Sequence, residues 1–155
     1  MIDPKYEILV DPLKDVADDA YLVSGRPVTM NVDGEIEGAD DTTPVYGLSK
    51  VSKNEYRDET YGEFGAYGSR RVTTVLKGLV NVYPSIYKPS DLENEVELAV
   101  YADDVIDADP LDDLYVNGDG LLTTVVPASP GVTNVIGQVT VVPSVEDPVL
   151  QIKLS

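Results

Sequence analysis

The chain has 155 residues, 43% of them apolar, and a formal charge of −17 from 11 Lys and Arg against 28 Asp and Glu. That is the length of one domain with enough apolar residue for a real core. The absence of cysteine, histidine and tryptophan excludes disulfides and thiolate metal sites, and removes the commonest nucleophile, base and transition-metal ligand types together.

Such acidity makes nucleic acid and anionic membranes poor partners, because the phosphate term is repulsive. No apolar run approaches the ~18 residues of a membrane span. Met1-Ile2-Asp3-Pro4 lacks the basic and apolar regions of a signal peptide, so synthesis in the cytoplasm is expected.

Residues 1–20 are expected to form an N-terminal arm or first strand. Lys5 to Val10 read as a short strand bounded by Pro4 and Pro12. Asp15 to Ala20 read as an acidic connector with room for one helical turn. Residues 21–155 are expected to form a single β-rich domain. Its clearest element is Gly25 to Gly38. Val28, Met30 and Val32 alternate with Thr29 and Asn31, the period of a half-buried strand. Asp33-Gly34 supplies a turn that needs a positive φ. A three-residue loop with Gly34 in the left-handed position sets Met30 opposite Ile36. A two-residue turn would set Ile36 opposite Asn31, so the bulged register is preferred. Gly38 to Pro44 is a loop, and Val45 to Val51 a further strand.

From Lys50 to Lys88 there are seven bases (Lys50, Lys53, Arg57, Arg70, Arg71, Lys77, Lys88) against four acids, a net +3 that leaves −20 on the rest. The same stretch holds Tyr56, Tyr61, Phe64, Tyr67, Tyr83 and Tyr87. The glycines of Tyr61 to Gly68 break helix and weaken strand, so this part of a Tyr-rich insertion at about 50–71 reads as an extended loop. Interfaces favour aromatics and arginine. The alternative is that the rings pack on the domain's own core and the bases neutralise neighbouring acids. Arg70-Arg71 suits an acidic patch on a partner; the scarcity of bases favours that over a plain surface pair.

Val72 to Tyr83 reads as one long strand or two short ones, with Gly78 at a bulge or bend. Ser90-Asp91-Leu92-Glu93 has the form of a capping box, while Val96 to Val100 alternates. A short helix or turn followed by a strand reconciles them. Asp103 to Asp113 is an acidic loop. Leu114 to Val126 is a second hairpin around Asn117-Gly118-Asp119-Gly120, and Pro127 to Gly131 a loop. Asn134 to Val142 and Pro148 to Leu154 are the last strands, with Leu150, Ile152 and Leu154 on one face. No repeat of fixed period is evident. The expected fold is all-β, a small β-barrel or β-sandwich with extended loops or arms and at most one or two short helices.

No catalytic centre emerges. An EF-hand aligned on Asn117, Asp119 and Gly120 puts Tyr115 first and Val126 twelfth, so the template fails. Asp107, Asp109, Asp112 and Asp113 suit a solvated loop better than a chelate. Paired carboxylates for glycoside hydrolysis need a cleft and a raised pKa, and 28 acids make suggestive pairs inevitable. Gly65 to Arg71 lacks the Gly-Lys-Ser/Thr ending of a phosphate loop. The chain is not expected to be an enzyme or to carry a metal or cofactor.

Three stretches resemble the hairpins of tailed-bacteriophage capsid decoration (cement) proteins. They are Gly25-Arg26-Pro27-Val28 through Ile36, then Pro44 to Leu48, and Leu114-Tyr115-Val116-Asn117 with Gly120 to Thr123, followed by Val135 to Val139. The resemblance covers about a third of the chain, and the motifs recur in many β proteins. It implies a small β-barrel or β-rich virion protein that binds the outer surface of the capsid, made in the host cytoplasm. Its partners would be the major capsid protein and itself, often as a homotrimer. It implies no catalytic residues. The expected contact surface is Lys53, Tyr56, Arg57, Tyr61, Phe64, Tyr67, Arg70 and Arg71, together with segment 1–20. A phage tail, fibre or adhesin-type β domain that recognises a glycan or host surface is the alternative.

Overall fold

A computed structural model describes residues 1–55, 57–62, 71–89, 93–128 and 134–155. It is all-β, 46% strand, with the main sheet curled into a half-barrel. The strands are β1 (Ile2–Asp15), β2 (Pro27–Met30), β3 (Ile36–Gly38), β4 (Gly47–Ser49), β5 (Val51–Asn54), β6 (Arg57–Gly62) and β7 (Arg71–Val82). Then come β8 (Ser85–Tyr87), β9 (Val96–Leu98), β10 (Asp113–Val116), β11 (Leu122–Thr123), β12 (Gly137–Val141) and β13 (Leu150–Leu154).

The main sheet runs β11-β10-β12-β13-β7-β4-β2-β3, with β1 also paired to β7. β5–β6 and β8–β9 are separate two-stranded hairpins. Two apolar clusters fill the curl. The larger includes Leu48, Val75, Val80, Leu114, Leu122 and Ile152; the smaller includes Val16, Leu22, Val28, Ile36, Val51 and Val72.

The first hairpin has the bulged register. Met30 pairs with Ile36, Asn31 N–H donates to Glu35 O, Gly34 N–H donates to Asn31 O, and Gly34 has φ +80°. β7 is one continuous strand, with a register shift in its β1 partner beside Gly78. Three expectations need correction. β1 is longer than Lys5 to Val10, because Pro4 and Pro12 fall inside it next to register shifts rather than ending it. The acidic stretch after Tyr101 is not all loop: Asp103–Asp107 is a 3₁₀ turn with Val105 buried. Tyr61 and Gly62 lie in β6 rather than in a loop. Most of the capping box, residues 90–92, lies outside the described residues.

The chain also contains a repeat that its sequence conceals. The sheet order reads the same from both ends: β3-β2-β4-β7 mirrors β11-β10-β12-β13. The match extends to single hydrogen bonds. Gly25 N–H donates to Ser49 O (2.8 Å), as Leu111 N–H does to Val139 O (2.7 Å). Tyr46 N–H donates to Val28 O (2.7 Å), as Ile136 N–H does to Leu114 O (2.8 Å). Ala17 N–H donates to Ile36 O (3.0 Å), as Ala102 N–H does to Leu122 O (2.8 Å).

Each unit opens on Ala-Asp-Asp (Ala17-Asp18-Asp19, Ala102-Asp103-Asp104) and turns on Asn-x-Asp-Gly (Asn31 to Gly34, Asn117 to Gly120). In both turns the Asn Oδ1 accepts two backbone N–H groups, from Asp33 and Glu35 in one and from Asp119 and Leu121 in the other. Leu111, the one non-glycine with positive φ among the described residues, stands where the first unit has Gly25. Gly47 and Gly137 are likewise matched, each against a neighbouring strand too close for a side chain. The spacing between matched residues drifts because the connecting loops differ in length, so no fixed period survives in the sequence.

Candidate interaction surface

The basic stretch divides between interior and surface. Val51 to Asn54 are all buried. Lys53 is 8% exposed, and its Nζ donates to the carbonyls of Ala17 (3.0 Å) and Asp18 (2.5 Å). A buried ammonium must find acceptors. Lys53 finds them on the first Ala-Asp-Asp turn and so clamps β5 to that turn. Its backbone also bridges to Leu22. Lys53 therefore does not join an exposed contact surface.

Arg71, in contrast, is solvated. It opens β7, and its Nε lies 3.4 Å from Asp15 Oδ1, with side-chain exposures of 61% and 68%. An exposed pair of this kind contributes ~1 kcal/mol at most. The backbones of Arg57 and Tyr61 lie on β6, paired with Asn54 and Ser52. Tyr56, Phe64, Tyr67 and Arg70 lie outside the described residues. Of the expected surface, the described residues thus place Arg71 beside the end of β1 and withdraw Lys53.

One basic residue outside the expected surface joins the two units. Arg26 stands one residue before β2, and its Nε donates to Ala99 O (2.6 Å). Its guanidinium lies 5.6 Å from the centroid of Tyr21. Burial lowers its pKa, opposed by Tyr21 and Asp119. With Tyr21 and Asp40 it lines a cavity of about 190 Å³, which Gly118, Asp119 and Gly120 of the Asn117 turn also line. That is below the ~300 Å³ at which ligand pockets begin. The available signal was isolation: Arg26 is the only cation between Lys14 and Lys50.

The acids serve local structure. Asp104 accepts from Thr123 Oγ1 (2.9 Å), Thr124 N (2.7 Å) and Thr124 Oγ1 (2.8 Å). Burial pushes its pKa up, but these donors outweigh burial and hold it below the usual value. Asp112 Oδ2 accepts from Asp109 N, and Asp113 Oδ1 from Gln138 Nε2. Among the described residues no group of three acids converges where it could hold a metal ion. No helix of the described residues is long and apolar enough to cross a membrane. No family model, curated protein or solved structure matches the chain.

Proposed function

We propose that the chain is a virion structural protein that binds the outer surface of a tailed-phage capsid and stabilises the shell by bridging copies of the major capsid protein. One observation supports this reading. The stretches that resemble decoration proteins fall on matched elements of the two units: β2, β3 and β4 in one, β10, β11 and β12 in the other. The likeness thus lies in the framework of both halves rather than in scattered turns.

A bridging protein needs a rigid framework, solubility before assembly and many weak contacts that act together. The net charge of −17 favours solubility before assembly. Arg71, to which the aromatic segment leads in the sequence, offers a cation to an acidic patch on the shell. The test is co-sedimentation with purified empty capsids. Wild type should saturate at a fixed stoichiometry. Arg71→Glu should lower occupancy several-fold, with an unchanged circular dichroism spectrum. No wild-type occupancy would sink the reading, and binding on a glycan array instead would favour the fibre or adhesin alternative.

A further inference from the structure

Besides sharing β7, the two units touch through a turn. The Asn117 to Gly120 turn of the second unit lies against the residues that follow β3 in the first. A Cβ on Gly120 would stand 3.2 Å from Ala39 O, and one on Gly118 3.7 Å from both carboxylate oxygens of Asp41. Ala39 is 4% exposed there. Arg26 lines the same cavity, and Asp119 of the turn favours its charge. The contact is a turn seated on a short apolar step, beside a cation and a carboxylate.

The second unit presents the matched surface open. Val125 and Val126 follow β11 as Ala39 and Asp40 follow β3, at the same remove from the turn glycine. They are 62% and 59% exposed. The charge beside them is reversed, because Asp112 stands where the first unit has Arg26. Asp113, also exposed, and Val125 each lie two residues beyond the Tyr115–Thr123 pair, at the same end of that ladder.

We infer that this face of the second unit, Val125 and Val126 with Asp112 and Asp113, docks a turn of a partner chain that carries an aliphatic side chain beside a lysine or arginine. The shape of the occupant follows from the contact the chain makes within itself. Its chemistry follows from the two changes: valines in place of Ala39 and Asp40 call for apolar cover, and Asp112 in place of Arg26 calls for a cation. A second copy is the wrong occupant. Its free turn, Asn31-Val32-Asp33-Gly34, offers a fully exposed Val32, but Asp33 would meet Asp112 with like charge, which disfavours pairing. This inference stands apart from the capsid reading, and its test needs no capsid.

The probes are two cyclic peptides of the Met30–Ile36 hairpin, one native and one with Asp33→Lys. Each is titrated at low salt into the isotope-labelled full chain, and amide shifts are followed by NMR. The lysine peptide should move Val125, Val126, Asp112 and Asp113. The native peptide should bind about tenfold more weakly, the scale of one reversed charge contact. Asp112→Asn keeps an acceptor for the Asp109 N–H and should weaken the lysine peptide several-fold, as should added salt. Val125→Ser with Val126→Ser should abolish binding, whereas Asp33→Asn in the full chain should leave it unchanged. Circular dichroism identifies a valine variant that fails to fold, and Asp112→Asn then decides. No shifts at millimolar peptide, shifts centred on Tyr21 and Arg26, or equal binding of the two peptides would overturn the inference. So would concentration-dependent shifts at Val125 and Val126 without peptide, which would mean that a second copy covers the face.

Discussion

Adding one methyl group at Gly137 is the sharpest perturbation the fold offers. A Cβ there would overlap the carbonyl oxygen of Lys153 and sit 3.1 Å from both Ile152 Cγ2 and Leu154 Cα. At Gly47 it would meet Val75 O at 2.5 Å and Thr74 Cγ2 at 2.7 Å. The obstacles are backbone and β-branched atoms of a central strand, which cannot swing aside as the end of a lysine can. Overpacking of this kind costs ~1–3 kcal/mol, and alanine regains ~0.5–1 kcal/mol of strand preference. The net loss is about 1–2 kcal/mol, or a fall of roughly 2–8 °C in Tm for a chain of this size. Gly34→Ala is the contrast. It meets nothing within 4 Å, but its φ is +80°, so it should lose ~1 kcal/mol from backbone strain alone. Thermal and urea unfolding followed by circular dichroism measure all three. Because the two units match, Gly47→Ala and Gly137→Ala should lose similar amounts. Wild-type stability in either would refute the close approach.

Thr74 carries a buried hydroxyl with no hydrogen-bond partner, and the matched residue of the second unit is Ile152; Thr74→Val should therefore leave stability unchanged or raise it by ~1 kcal/mol, read from the urea midpoint. Lys53→Met strands two carbonyls and should cost ~1–3 kcal/mol, whereas Arg71→Glu should stay within ~1 kcal/mol of wild type; equal effects would contradict the interior placement of Lys53. The folded-state pKa of Asp104 is depressed, so its stabilisation is present above the unfolded carboxylate pKa of ~3.9 and is lost as pH falls through the folded value. Asp104→Asn should remove that acid-side slope and cost ~1–2 kcal/mol at neutral pH after allowance for partial solvent screening, measured as unfolding free energy from pH 2 to 7.

The hairpins were legible because their signals are local. Alternation over Val28 to Val32 and a glycine that tolerates positive φ are enough to fix Met30 against Ile36. The duplication was not legible, because what the units share is mostly backbone geometry. Gly25 and Leu111 adopt the same left-handed turn with unrelated side chains. Arg26 in one unit corresponds to Asp112 in the other, so the charge reverses while the N–H to C=O ladder stays. The Ala-Asp-Asp and Asn-x-Asp-Gly words are short enough to pass for chance. Lys53 was misjudged for a related reason. Charge in a basic stretch suggests solvent, yet its acceptors lie 35 and 36 residues away on a turn that no local pattern ties to it. The 3₁₀ turn at Asp103–Asp107 hides in an acidic run because a single buried residue, Val105, is too little to set a period.

The central functional claim is that this β scaffold adheres to the outside of an assembled shell. A cryo-electron microscopy difference map between bare capsids and capsids incubated with the purified chain tests it most directly. The account predicts ordered additional density on the outer surface, at symmetry-related positions that bridge neighbouring capsid subunits. Shells indistinguishable from the bare control, or density confined to the tail, would contradict it.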